Sequence, residues 1–317
     1  MSLLLAFLAL ALGASGGVRA QPFPAKPIRI LVGPGPDVLA RTVGQKLTDA
    51  WGQQIVVDQR PGAGGNTVAE IASKAPADGY TLLMATSSFA ANAVLQPGPF
   101  DLVRDFSPIA LLATSPLILV VHPSVPAKSL GEFIALAKAR TGQLNYASTG
   151  NGTAPHLAME MLKSAARIDV VHVPYKGAGP ALVDLLAGQV QVYFQIGAGV
   201  LGSIQAGKVR ALAASSLTRA KLAPDLPTVA DSGFPGFQAM GWNGLLAPVG
   251  TPRTLITRYH GEIMRTLAEP DVVKRINGMG WEPAGTTGNT PQTMGQFVRA
   301  EIAKFAKIVK DNNLKVD

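Results

Sequence analysis

The stretch Gln54-Ile55-Val56-Val57-Asp58-Gln59-Arg60-Pro61-Gly62-Ala63-Gly64-Gly65-Asn66-Thr67-Val68-Ala69-Glu70 decides how the chain is read. It opens with a short β-branched run, Ile55 to Asp58. A glycine loop follows, and then a helical pattern from Asn66 to Ala75. Strand, glycine loop and helix form the unit from which parallel sheets are built. The loop of such a unit lies at the carboxyl end of its strand, beside free backbone N–H groups and a positive helix end. This loop is therefore a candidate anion site.

The same form recurs at Leu31 to Asp37, at Tyr146 to His156 and at Pro174 to Pro180. Around these loops the pattern predicts strands at Ile28 to Val32, Tyr80 to Ala85, Ile118 to His122, Leu144 to Ala147, Val170 to Pro174, Val190 to Phe194, Arg210 to Ala214 and Trp242 to Ala247. It predicts helices at Asp37 to Ala50, Leu130 to Ala139, Pro155 to Ala166, Pro180 to Leu186, Pro252 to Ala268, Asp271 to Met279 and Pro291 to Lys310. Asp37 and Ser129 are placed to cap the helices they precede. So many alternating elements exceed one compact sheet. The expectation is two α/β lobes, each a mainly parallel sheet flanked by helices, with a ligand cleft between them. The run Pro116 to Pro123 would leave the first lobe and Trp242 to Pro248 would return to it. Residues 1–20 read as a signal peptide, 21–120 with 241–317 as the first lobe, and 121–240 as the second.

Composition narrows the function. The chain has 317 residues and a formal net charge of +8, yet its basic residues are scattered singly and aromatics make up only 6%. That pattern excludes a nucleic-acid surface and suits a protein that attracts small anions. With no cysteine there is no disulfide, no thiol catalysis and no cysteine metal site. Leu3 to Leu12 is too short to span a bilayer, and Val18-Arg19-Ala20 before Gln21 resembles a cleavage site, so export to the periplasm is expected.

The loops do not carry nucleotide chemistry. Gly64-Gly65-Asn66-Thr67 lacks the lysine of a phosphate-binding Walker loop, and Thr67 stands where a dinucleotide loop needs its third glycine. A carboxylate needs only a few N–H and hydroxyl donors. Gly62, Gly64 and Gly65 also suit a tight turn alone. No Gly-x-Ser-x-Gly elbow is present, and no histidine lies four residues from another. His122 and His260 read as structural, and His172 as a core or inter-lobe residue. His156 opens a helix beside a glycine loop and is a cleft candidate.

Taken together, these segments resemble the receptors of tripartite tricarboxylate transporters, the Bug family. The resemblance spans Phe23 to Asn313. It rests on Pro24 to Arg29, Asn66 with its loop, Ala77-Asp78-Gly79-Tyr80-Thr81-Leu82, Leu144 to Ser148 with Gly152-Thr153, His172 to Gly177, Leu226 to Ala230 and Gly244 to Pro248. It implies a periplasmic, two-lobed binding protein that is not an enzyme, carries no cofactor or metal, and delivers a small organic carboxylate to a membrane permease. A monomer is expected. The implied ligand contacts are Gly62, Ala63, Gly64, Gly65, Asn66 and the Ser87-Ser88 turn from the first lobe. The second lobe would add Ser148, Thr149, Asn151, Thr153, Tyr175, Lys176 and Gln195, with Trp242 and Asn243 on the returning strand; His156 joins them as the candidate above. Lys176 also fits a solvated position, and Trp242 a core position. Two features depart from the family: the loop Gly33 to Pro36 is shortened, and Gln195 replaces a frequent aspartate, which points to a ligand without an amino group. Other readings are a periplasmic sensor subunit, a secreted enzyme acting on an organic acid, and a relative whose trimmed loop has abolished binding.

Overall fold

The structure is a computed structural model and describes residues 23–33, 37–60 and 65–311. The expected signal peptide, the shortened segment 34–36 and the loop residues Gly62, Ala63 and Gly64 lie outside the described residues. Among the described residues there are ten strands and ten helices, and no helix is long and apolar enough to cross a membrane.

In the first sheet β1 (Ile28–Val32) lies between β2 (Ile55–Gln59) and β3 (Thr81–Thr86), parallel to both. Helices cover both faces, so β1 is apolar on both sides except at Arg29, which is half-buried and paired with Asp58 of β2. One face packs α1 (Val38–Trp51), α8 (Arg253–Ala268) and α9 (Pro270–Gly278), with Val43, Leu47, Tyr259 and Ile276 against Ile28, Ile30 and Leu245. The other packs α2 (Asn66–Ser73), α3 (Ser87–Leu95) and α10 (Pro291–Asp311), with Val68, Phe89, Met294 and Phe305 against Leu31, Leu83 and Leu246.

The second sheet holds β5 (Asn145–Ser148), β6 (Val171–Pro174) and β7 (Val192–Ile196) in parallel pairs around β5. α4 (Leu130–Ala139) and α5 (Ala154–Ala166) cover one face; α6 (Ala178–Leu186) and α7 (Gly197–Gln205) cover the other. β8 (Arg210–Ala214) pairs with β4.

Two long strands join the sheets. β4 (Phe106–Val121) runs beside β9 (Met240–Pro248) from Phe106 opposite Pro248 to Pro116 opposite Met240. Beyond Leu117 the same strand pairs with β7 and β8. These pairs are antiparallel, so each sheet has three parallel strands on one side and antiparallel pairs on the side where the two sheets join. Ser215, wholly buried, fastens the crossing: the Leu117 N–H donates to Ser215 Oγ at 2.8 Å, and Ser215 Oγ donates to the Ala239 carbonyl. β4 begins at Phe106 instead of Ile118, because Pro108 and Pro116 mask a strand that takes Pro108 beside a register shift and Pro116 where its pairing with β9 ends, opposite Met240. At one shift Asn289 stands in for a strand: its Oδ1 accepts from the Leu111 N–H at 3.1 Å and its Nδ2 donates to the Leu111 carbonyl at 2.8 Å. The Ser87-Ser88 turn is a correction: both serines open α3. Its apolar residues face inward all round and give no helical stripe.

Candidate functional site

Strand pairing fixes where the loops gather. Thr86 lies opposite Asn243, and Ile196 opposite Leu117, both in antiparallel pairs. The carboxyl ends of β1, β2 and β3 therefore point toward the crossing from one sheet, and those of β5, β6 and β7 from the other. Helices α1, α2, α3, α5, α6 and α7 start at these ends. Among the described residues none of them has a side-chain hydrogen bond at its N-cap. Within the described residues their first-turn N–H groups therefore have no side-chain cap, the arrangement that suits an anion. α4 starts at the far end of β4 and is closed: Ser129 Oγ accepts from the Glu132 N–H at 3.2 Å, and Glu132 Oε2 from the Lys128 N–H at 2.7 Å.

On the first wall, Gly65 takes φ 104° and lies against the Phe89 ring. Asn66 begins α2, and its Nδ2 donates to the Gln96 carbonyl at 2.8 Å, tying α2 to the end of α3. Ser87 is buried, Ser88 is half-buried, and neither side chain bonds another described residue. Asp37 does not cap α1 as expected. Its carboxylate instead accepts from Arg41 Nε at 2.8 Å and draws the side chain along the helix.

On the second wall, Thr153 Oγ1 and Ser148 Oγ lie 2.7 and 3.1 Å from the Gly150 carbonyl, which holds the loop in a tight arc. Thr149 and Asn151 are more open and make no hydrogen bond to other described residues. Gly152 approaches a helix of the first sheet: an added Cβ there would lie 2.6 Å from Asn92 Oδ1 of α3. His156 is only 6% exposed and lies under the loop, accepting the Gly152 N–H on Nδ1 at 3.1 Å, which corrects its placement as a cleft contact.

Tyr175 turns from the site, its hydroxyl donating to Asp184 Oδ2 at 2.7 Å; burial, with that carboxylate, pushes the phenol up to about 12. Lys176 is exposed and has no ion pair among the described residues. Gln195 is 3% exposed; its Oε1 accepts from the Ile196 N–H at 2.8 Å and its Nε2 lies over Gly199 in the first turn of α7. A carboxamide there adds N–H donors to a helix start and no negative charge. Trp242 is a further correction. It is wholly buried, donates Nε1–H to Glu301 Oε2 at 3.0 Å, and packs edge-on to Phe297. Asn243, next along β9, is 9% exposed and has no side-chain hydrogen bond among the described residues.

One residue was not anticipated. An added Cβ on Gly241 would lie 3.3 Å from the half-buried Trp281 ring and 3.5 Å from Ile196 Cδ1, so Trp281 and Ile196 both flank Gly241 at the crossing. Ser115 Oγ donates to the Gly280 carbonyl at 2.7 Å and steadies this loop. In sequence Trp281 is a lone aromatic between two helices, and only its size marked it. Among the described residues no group of three or more histidines and carboxylates could hold a metal ion.

The profile of the family described as tripartite tricarboxylate transporter family receptor matches residues 39–314. The chain belongs to that family. Among relatives, the protein BugT of Bordetella pertussis is 36% identical over 311 residues, covering 96% of this chain and 94% of BugT. Among solved structures, the R. palustris protein Rpa4515 with adipate shares 31% identity at a TM-score of 0.84, over 92% of this chain and 99% of that one. MatC from Rhodopseudomonas palustris with bound malate shares 31% at 0.81, over 90% and 100%. The family is one of solute-binding receptors and the Bug resemblance holds.

Proposed function

We propose that this receptor is exported to the periplasm, captures a small organic carboxylate between its lobes, and delivers it to membrane permease subunits. The observation that carries the reading is the set of helix starts that face one crossing without a side-chain cap among the described residues, with neutral donors beside them and the nearby carboxylate of Asp37 paired to Arg41. Gly62 to Asn66, Ser87 and Ser88 form one side of the grip. Ser148, Thr149, Asn151, Thr153 and Gln195 form the other, with Asn243 at the floor and Trp281 beside it. Residues 21–120 with 241–317 act as one lobe and 121–240 as the other, bending where β4 and β9 pass from sheet to sheet. A carboxylate bonded to both sides favours the closed arrangement by its differential affinity. Adipate and malate in two relatives are the first candidates. The neutral Gln195 selects against an ammonium group near α7, so an amino acid should bind more weakly than its deaminated analogue.

Titration calorimetry on refolded protein tests this. The panel is adipate, malate, 2-aminoadipate and aspartate. Saturable one-to-one binding of an acid, with its amino analogue weaker, supports the reading. Tighter binding of the amino analogue refutes the role of Gln195, and no binding across the panel refutes carboxylate capture of this class.

A further inference from the structure

A buried aromatic stack lies under the Ser148–Thr153 loop and takes no direct part in the grip. His156, in the first turn of α5, stacks on His172 of β6 with centroids 4.2 Å apart and planes within 16°. His172 stacks in turn on Tyr146 of β5 at 4.8 Å. The Tyr146 hydroxyl and Lys163 Nζ both donate to Glu160 Oε1, at 2.6 and 2.9 Å, which anchors the inner side. The outer edge holds the loop at both ends. The Gly152 N–H donates to His156 Nδ1 at 3.1 Å, and His172 Nε2 lies 2.7 Å from Ser148 Oγ.

The hydrogen-bond inventory can be satisfied with both rings neutral. Ser148 Oγ accepts from the Gly150 N–H at 3.1 Å and has one proton to donate. If that proton goes to the Gly150 carbonyl, His172 Nε2–H donates to the hydroxyl and every partner is satisfied. His156 accepts on Nδ1, so its proton sits on Nε2. Both rings are neutral in this arrangement. Burial holds both down to about 4, with Lys163 adding to the effect on His156, and His156 adding to it on His172.

We propose that His156 and His172 are positioning residues: they brace the Ser148–Thr153 loop in the form that binds the ligand, and a proton on His156 unfastens it. The proposal rests on the reading that this loop touches the carboxylate. Protonated His156 would turn an Nδ1–H donor toward the Gly152 N–H donor, and two donors cannot share the bond. The charged groups facing the stack are Lys163 and Glu160, with Tyr146 beside them. The lysine opposes the proton and the carboxylate, already bonded twice, offers it little compensation.

The test uses the full chain, nitrogen-15 labelled, with adipate as probe, for wild type, His156→Leu and His156→Asn. Leucine keeps volume and removes the acceptor; the asparagine oxygen takes the place of Nδ1. Expected are adipate binding about tenfold weaker in His156→Leu with faster exchange of the Gly152 amide, and recovery to within about threefold in His156→Asn. The ratio of wild-type to His156→Asn affinity should be flat from pH 7.5 to 6 and fall about tenfold toward pH 4. Protonation of adipate itself cancels in that ratio. Unchanged affinity and unchanged Gly152 exchange in His156→Leu would overturn the brace, as would a ratio flat down to pH 4. Should His156→Leu not fold, the ratio alone decides. An adipate titration that shifts other amides but not Gly150 to Thr153 in wild type refutes the loop contact, and hence the effect on affinity; Gly152 exchange then still decides the brace.

Discussion

Replacing Gly65 with alanine should destabilise the protein more than any other single methyl added at the described end of the glycine loop. Gly65 has φ 104°, and the new carbon would lie 2.7 Å from Phe89 Cζ. Phe89 is 1% exposed and enclosed by α2, α3 and α10, so its ring has nowhere to go. The left-handed backbone costs a side chain about 1–2 kcal/mol. Forcing a methyl group into a filled core costs about 1–3 kcal/mol more. Together the loss is about 2–5 kcal/mol. Gly52→Ala separates the two parts, because Gly52 has φ 66° at the end of α1 and no atom within 4 Å of an added Cβ. It should show only the backbone part, about 1–2 kcal/mol. Guanidinium unfolding of both variants measures the difference. Phe89→Leu combined with Gly65→Ala should return about 1 kcal/mol or more of coupling in a double-mutant cycle. Equal losses for the two alanines, or no coupling to Phe89, would refute the argument that the ring sets this turn.

Three further outcomes are expected. Arg167→Gly should stabilise by up to about 1 kcal/mol, since Arg167 ends α5 at φ 53° where glycine has no Cβ penalty; a lower denaturation midpoint would count against it. Trp242→Phe should lose about 1–3 kcal/mol by leaving buried Glu301 short of a donor, while adipate affinity stays unchanged in calorimetry; a selective loss of affinity would return Trp242 to the cleft. Stability should fall between pH 6.5 and about 4 with the slope of up to two protons taken up on unfolding. Folded His156 and His172 stay neutral there while the unfolded chain protonates, and urea midpoints at pH 7, 5.5 and 4.5 follow it.

Much of this architecture was legible because glycine loops and apolar runs report local geometry. Leu130 to Ala139 and Arg210 to Ala214 emerge with the bounds their patterns predict, and Ser129 caps as its position implies. What stayed hidden depends on distant partners. β4 looked like a short strand because two prolines interrupt it, and only β9 and Asn289 show how its bonds are satisfied. α7 carries Gly197, Gly199 and Gly202, so its helix comes from packing and not from propensity. The site follows the same division. The serines and threonines of the Ser148–Thr153 loop were readable as donors. That Tyr175 would turn to Asp184, Trp242 to Glu301 and His156 beneath its loop was not, since each choice is made by a residue remote in sequence or on another element.

The placement of β9 also bears on how the chain acquires its shape in time. β9 lies between β3 and β4 at the heart of the first sheet, yet it is made after every strand of the second. The sheet that begins first is therefore finished last. Until Met240 to Pro248 and then Pro291 to Asp311 have been synthesised, Leu31, Leu83 and Phe89 lack their covering surfaces, whereas β4 to β8 already have all their mutual partners. A nascent or translocating chain would thus carry a completed middle between two unfinished ends. The grip at the crossing, which needs both, would be the last part of the molecule to exist.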